Sequence, residues 1–127
     1  MRSLAALSLA AAATAAPTAT TSIQTHAEID VPRTRPQMVI VQSRDFAPGA
    51  QSGWHVHPGT EVAYVTAGKI ELLVKGKATT IAAGDSFTMP RGVPHNGINS
   101  SGEMARVVIT LVVDKGAPPR QPIAEPK

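Results

Sequence analysis

Beyond residue 36, turn signals interrupt this chain roughly every ten residues. Ala47-Pro48-Gly49, Ala67-Gly68-Lys69, Lys75-Gly76-Lys77, Ala83-Gly84-Asp85, the Pro90-Arg91-Gly92-Val93-Pro94 loop and Asn99-Ser100-Ser101-Gly102 follow in order. The runs between them are short, and several carry β-branched centres such as Val39-Ile40-Val41. An amphipathic helix needs about ten or more residues with apolar positions every three or four. No such stretch is legible after residue 30. Strands are predicted at 37–46, 53–57, 61–66, 70–74, 78–82, 86–89, 95–98 and 104–113. Many short strands at even turn spacing make an all-β sandwich or barrel, and a double-sheet jelly roll is one way such strands close their edges.

A length of 127 residues suits one domain. Hydrophobic residues at 43% suffice for a core, but aromatics at 3% leave it to be built from Val, Ile, Leu and Ala. The net charge of +3 includes Arg2; from Glu28 onward eleven basic residues face nine acidic ones. These charges are scattered. A pI near 9.7 therefore does not imply a nucleic-acid partner, which would need a clustered basic face with aromatics for stacking. The absence of cysteine excludes disulfides, thiolate ligands and a cysteine nucleophile.

Residues 1–27 read as a secretory signal peptide: Met1-Arg2-Ser3 is basic, residues 4–16 are apolar, and a small-residue polar stretch follows. Cleavage is expected after Ala15 or Ala27. The apolar run is too short to span a bilayer, and no Cys follows it as a lipid anchor. This predicts a periplasmic or secreted protein without a membrane anchor. Residues 28–36 are an extended lead-in, 37–115 the folded domain, and 116–127 a Pro-rich tail expected to be extended or disordered.

The chemistry concentrates in His55-Val56-His57-Pro58-Gly59-Thr60-Glu61. Two histidines one residue apart share a face of an extended strand. Pro58-Gly59-Thr60 reads as a tight reversal. His57 and Glu61 would then pair across a hairpin with Cβ atoms roughly 5 Å apart. Imidazole and carboxylate are the usual ligands of divalent first-row metals.

The punctuation and the histidines together form two blocks. The first runs Gly49, five residues, His55-Val56-His57, three residues, Glu61, six residues, Gly68. The second runs Gly84, five residues, Pro90-Arg91-Gly92, two residues, His95, three residues, Asn99. Ten fixed positions at ~6% usage each coincide by chance on the order of once in 10¹². These blocks resemble the two motifs of the cupin superfamily, without gap or substitution, and the 15 residues between them are similar to the spacing of small single-domain members. The resemblance implies a cupin β-barrel of jelly-roll type, often dimeric. It implies one divalent transition metal (iron, manganese, nickel, copper, cobalt or zinc) held by His55, His57, Glu61 and His95.

Residues of ligand parity are expected to line the cavity: Gln51 and Gly53 with His55, Ala63 and Val65 with Glu61, Gly97 and Asn99 with His95. Gln51 is the polar one singled out as a substrate contact, while Asn99 is read as capping its own turn. Trp54 and Tyr64 have the opposite parity and are expected to pack outward. Arg91, Glu103 and Arg106 are read as solvated. Fold alone does not choose a function. The reading is an exported metal-dependent enzyme, of dioxygenase type or a Lewis-acid isomerase or lyase, acting on a small organic molecule. The alternative is a non-catalytic periplasmic protein that binds a metal or small ligand. A nucleic-acid-linked regulator is disfavoured because no helix-turn-helix pattern is legible. A homodimer is expected from the long apolar last strand and the edge strand at 37–46.

Overall fold

In the computed structural model, residues 24–31 and 35–127 are described. The signal-peptide reading of residues 1–23 lies outside them. Nine strands form: β1 (Gln37–Phe46), β2 (His55–Val56), β3 (Gly59–Ala67), β4 (Lys69–Val74), β5 (Lys77–Ala82), β6 (Ser86–Met89), β7 (Asn96–Ile98), β8 (Ala105–Asp114) and β9 (Gln121–Pro122). Among the described residues there is no helix. Every pairing is antiparallel. One sheet runs β1-β8-β3-β6, a second β5-β4-β7, and β2 pairs with β9. Bridges Gln51↔Ile98 and His55↔His95 join the β2 segment to the β7 side. The all-β jelly roll expected from the two blocks is the observed architecture.

Alternation along β8 sets the core. Ala105, Val107, Ile109, Leu111 and Val113 are buried on one face, meeting Ala63 and Val65 of β3 and Ile70, Leu72 and Ile81 of the second sheet. Aliphatic side chains of this shape suit the pleated, half-buried face of a strand. Phe46 and Met89 complete the cluster.

Lys75 and Gly76 both have positive φ, 49° and 74°, which is the twist a two-residue hairpin turn requires. Gly68 has φ 66°, and a Cβ there would meet the Met104 carbonyl oxygen at 2.4 Å. Both glycines are fixed by conformation or space.

The chain departs from the sequence-based reading in three places. Pro58-Gly59-Thr60 is no reversal: β3 already begins at Gly59, and β2 and β3 belong to different sheets. Gly59 is there for proximity, since a Cβ would lie 2.0 Å from the Val112 carbonyl oxygen of β8. Asn99-Ser100-Ser101-Gly102 is not a hairpin turn but carries the chain from β7 in one sheet to β8 in the other. The tail is anchored: β9 pairs with His55 and Val56, and the Ile123 amide donates to the Trp54 carbonyl at 3.0 Å.

Candidate metal centre

The four expected ligand residues converge from both sheets. His55 lies on β2 and His57 directly follows it. His95 precedes β7 and is tied to His55 by reciprocal amide–carbonyl hydrogen bonds of 3.1 Å. Glu61 comes from β3, in register with Leu111 of β8 and Met89 of β6. All four side chains are buried, and one donor atom from each lies within 4.8 Å of the others. That spread is within about 0.6 Å of what ligands ~2.1 Å from one ion allow.

The hydrogen bonds select the tautomers. His55 Nδ1 meets the Gly53 carbonyl at 2.7 Å, His57 Nδ1 the Pro119 carbonyl at 2.6 Å, and His95 Nδ1 the Val93 carbonyl at 2.9 Å. A carbonyl oxygen only accepts, so each Nδ1 carries the proton and donates. In a neutral ring this leaves Nε2 as a bare lone pair. Carbonyl-oriented rings of this kind are the usual outer support of metal-ligating histidine. Two Nε2 atoms, of His57 and His95, then approach the same carboxylate oxygen, Glu61 Oε2, at 2.9 and 3.0 Å. His57 Nε2 makes no hydrogen bond there despite its burial. Lone pairs facing a carboxylate oxygen in a buried site require a proton or a cation between them. The donor set fits a divalent metal.

Protons satisfy the arrangement in part. Burial opposes ionisation of Glu61, but the imidazoles of His57 and His95 set against its Oε2 outweigh it and hold the carboxyl at about 2. His57 is raised: burial works against its charged form, yet Glu61 and the Pro119 carbonyl favour it. His55 is pushed down to about 4, chiefly by burial; the Gly53 carbonyl opposes this, and the neighbouring His95, Arg120 and His57 add to the lowering.

Beside the ligands lies a cavity of about 30 Å³, room for about two water-sized groups. Its walls include Phe46, Ile70, Leu72, Phe87, Val107 and Ile109, with Ser52, Gly97 and Arg44 beside the ligands. The parity argument fails at residues 51–53 because Gly53 has φ 76° and breaks the alternation. Gln51 is exposed and accepts a hydrogen bond from Asn96 Nδ2 at 2.9 Å; its neighbour Ser52 faces the cavity. Gly97 does line it. Asn99 is fully buried and caps its loop, donating to the carbonyls of Phe46 and Glu103 and accepting from Ser101. The Tyr64 ring sits against His26, 4.7 Å between centroids. Arg91 is not simply solvated: it forms a two-point ion pair with Asp114 at 2.7 and 2.9 Å. Arg106 is exposed and pairs with Asp45 across the β1–β8 ladder.

Four participants escaped the sequence reading: Arg44, Ser52, Pro119 and Arg120. Arg44 was findable, since it shares strand parity with Phe46, which is in the core, and with Ile40, which packs against it. Pro119 and Arg120 gave no local signal, because a Pro-rich tail carries no periodicity.

The cupin domain family model matches residues 43–113. Among curated proteins, the chain is 31% identical over 64 residues to the HTH-type transcriptional regulator PuuR of Escherichia coli, covering 50% of this chain and 35% of that one. It is 31% identical over 96 residues to oxalate oxidase 2 of Hordeum vulgare, covering 66% and 43%. Among solved structures, an oxalate oxidase in complex with the substrate analogue glycolate superposes with a TM-score of 0.57 at 27% identity, covering 62% of this chain and 44% of that one. The chain thus spans less than half the length of these relatives. With the matched family model covering more than half of its residues, the chain belongs to the cupin domain family.

Proposed function

We propose that this protein is an exported metal-dependent enzyme acting on a small organic substrate. The observation that carries the reading is the trio of carbonyl-held Nδ1–H histidines, two of them with Nε2 against Glu61 Oε2, whose donor atoms and that of Glu61 all lie within 4.8 Å of one another. His55, His57, Glu61 and His95 would hold one divalent transition metal. When bound, the metal supplies redox chemistry with dioxygen or Lewis acidity for an isomerase or lyase reaction. The chain's own contribution is positional. Backbone carbonyls keep the three rings in one tautomer and one orientation. The aliphatic and aromatic cavity wall restricts water beside the ligands. The similarity to oxalate oxidases favours the oxygen-dependent branch.

The test is elemental analysis of the purified full-length protein, followed by oxygen-uptake assays with oxalate, catechols, thiols and flavonols. About one transition metal per chain is expected, and His55→Ala or His95→Ala should lose it while staying folded. Full metal content in either variant would overturn the ligand assignment.

One observation favours a second reading, a non-catalytic metal- or ligand-binding protein: among the described residues, and apart from the ligands themselves, no acid–base pair lines the cavity. Metal retained without turnover of any substrate class would select it. Export is testable by mass spectrometry of the mature N-terminus. Cleavage after Ala15 would keep the His26–Tyr64 contact, whereas cleavage after Ala27 would remove it.

A further inference from the structure

Each of the three ligand imidazoles is oriented by a backbone carbonyl, but those carbonyls are anchored differently. Val93, which serves His95, lies in the loop between β6 and β7. Gly53, which serves His55 at 2.7 Å, has φ 76°. Glycine reaches that conformation freely and also has the most backbone freedom to lose. Its carbonyl aims the His55 ring accurately only if the backbone around it is clamped.

Two elements supply the clamp. From β7, the Gly97 carbonyl accepts from the Ser52 amide at 2.8 Å, and the Gly97 amide donates to Ser52 Oγ at 2.9 Å. From the tail comes Arg120, just before β9. Its Nη2 donates to the Ser52 carbonyl and lies 3.5 Å from the Gly53 carbonyl. The guanidinium also covers Gly53 itself, where a Cβ would stand 3.5 Å from Nη2.

For stability alone, Arg120 is a poor residue to place here. Its Nε is buried and makes no hydrogen bond. Burial works against its charged form, and the Arg44 charge adds to this. Arg91 and Arg106, by contrast, are each held by an aspartate at two points. A guanidinium buried against carbonyls without a counter-charge is costly. The neighbouring residue shows where the gain lies: the Pro119 carbonyl accepts from His57 Nδ1 at 2.6 Å. Two consecutive tail residues thus support two different ligands, His57 directly and His55 through Gly53. Both lie beyond the matched family region, 43–113.

We propose that Arg120 is a positioning residue of the metal centre: by fixing the backbone of Ser52 and Gly53 it keeps the Gly53 carbonyl on His55 Nδ1, and so leaves His55 Nε2 free for the ion. It touches neither ion nor substrate. This rests on the metal-centre reading and adds the residue that sets one ligand's orientation. Outer partners of this kind govern metal affinity without bonding to the metal.

The experiment uses the full-length chain, stripped of metal and carrying nitrogen-labelled histidine. Near neutral pH, long-range proton–nitrogen spectra show which ring nitrogen holds the proton. Wild type should give Nδ1–H at His55 and His95. Arg120→Met keeps an unbranched apolar side chain and removes the donors. In it the His55 proton should spread over both ring nitrogens, while His95, served by Val93, keeps the wild-type pattern and reports an intact fold. Arg120→Lys, which retains a charged donor, should restore part of the wild-type His55 signal. Cobalt(II) affinity, from competition with a chromophoric chelator, should fall about tenfold or more in Arg120→Met and less in Arg120→Lys. The tail lies outside both main sheets, and Arg120→Gln repeats the test should Arg120→Met not fold. An unchanged His55 tautomer in the folded variant would overturn the proposal. So would a lysine variant no better than the methionine one, because packing alone would then explain the effect. Wild type that binds no cobalt would instead count against the metal-centre reading; the tautomer spectra are recorded without metal and decide the role of Arg120 separately.

Discussion

At the scale of single residues, the site is governed by which nitrogen holds a proton. The metal-free protein should be sensitive to pH in a defined way. His55, pushed down to about 4 by burial, holds its proton less well folded than unfolded, where the value is 6.5. The unfolded chain thus binds more protons between these values, and stability falls as pH drops through that window. Glu61 extends the loss: held at about 2 folded against 4.5 unfolded, its contribution is present above 4.5 and disappears on further acidification. His57 has the opposite sign, because its value is raised. Its contribution is complete below 6.5 and is lost as pH rises through the folded value. The melting temperature of the stripped protein should therefore peak near neutrality, and His55→Asn should flatten the acid limb above about pH 4. A melting temperature constant from pH 6.5 to 4 would contradict this. Gly59 is the second residue-scale test. A Cβ there would lie 2.0 Å from a backbone oxygen of β8, so Gly59→Ala should cost about 3 kcal/mol or more in urea unfolding. Gly102→Ala, with open space around it, should cost far less.

At the scale of elements, the C-terminal segment behaves as part of the centre. The Pro119 carbonyl fixes His57, Arg120 reaches Ser52, and β9 pairs with the strand that carries His55. Removing residues 119–127 leaves both main sheets intact. The truncated chain should therefore fold yet bind metal about 10–100-fold more weakly, the usual scale for losing an outer hydrogen bond to a ligand. Competition with a chromophoric chelator would measure it, and unchanged affinity would make the tail incidental. Within β8, Leu111 is 2% exposed, and Leu111→Ala should cost about 2–5 kcal/mol by thermal or urea unfolding.

At the scale of the whole molecule, the centre sits between the sheets: three imidazoles come from the β2–β7 side and the carboxylate from β3. Anything that lets the sheets separate also disperses the ligands, so metal and fold should stabilise one another, with a higher melting temperature on metal addition. We propose that the protein pairs with a second copy through β1. That strand is an edge of its sheet, ten residues long, with Val39 and Val41 63% and 67% exposed. Long apolar edges of this kind invite strand pairing. Light scattering should give the mass of two chains, falling to one in Val39→Lys/Val41→Lys. A wild-type monomer would end that idea.

Local order was legible in the residues alone. Strand 37–46 was readable to the residue because its β-branched centre is bounded by Pro36 and by Ala47-Pro48-Gly49, and the four ligand positions stood out as residue types at fixed spacing. Backbone preference and turn chemistry act over a few neighbours, so they are written in the neighbours. The partnerships were decided only in three dimensions. Gly59 looked like a turn because a glycine chosen for close strand approach is locally indistinguishable from one chosen for a left-handed conformation. The tail read as extended or disordered rather than as a paired strand, because its strand forms only with residues more than sixty positions earlier. Arg44 and Arg120, and the Pro119 carbonyl under His57, reach the site for the same reason: long-range pairing brings them there, and no window of sequence contains both ends of a contact.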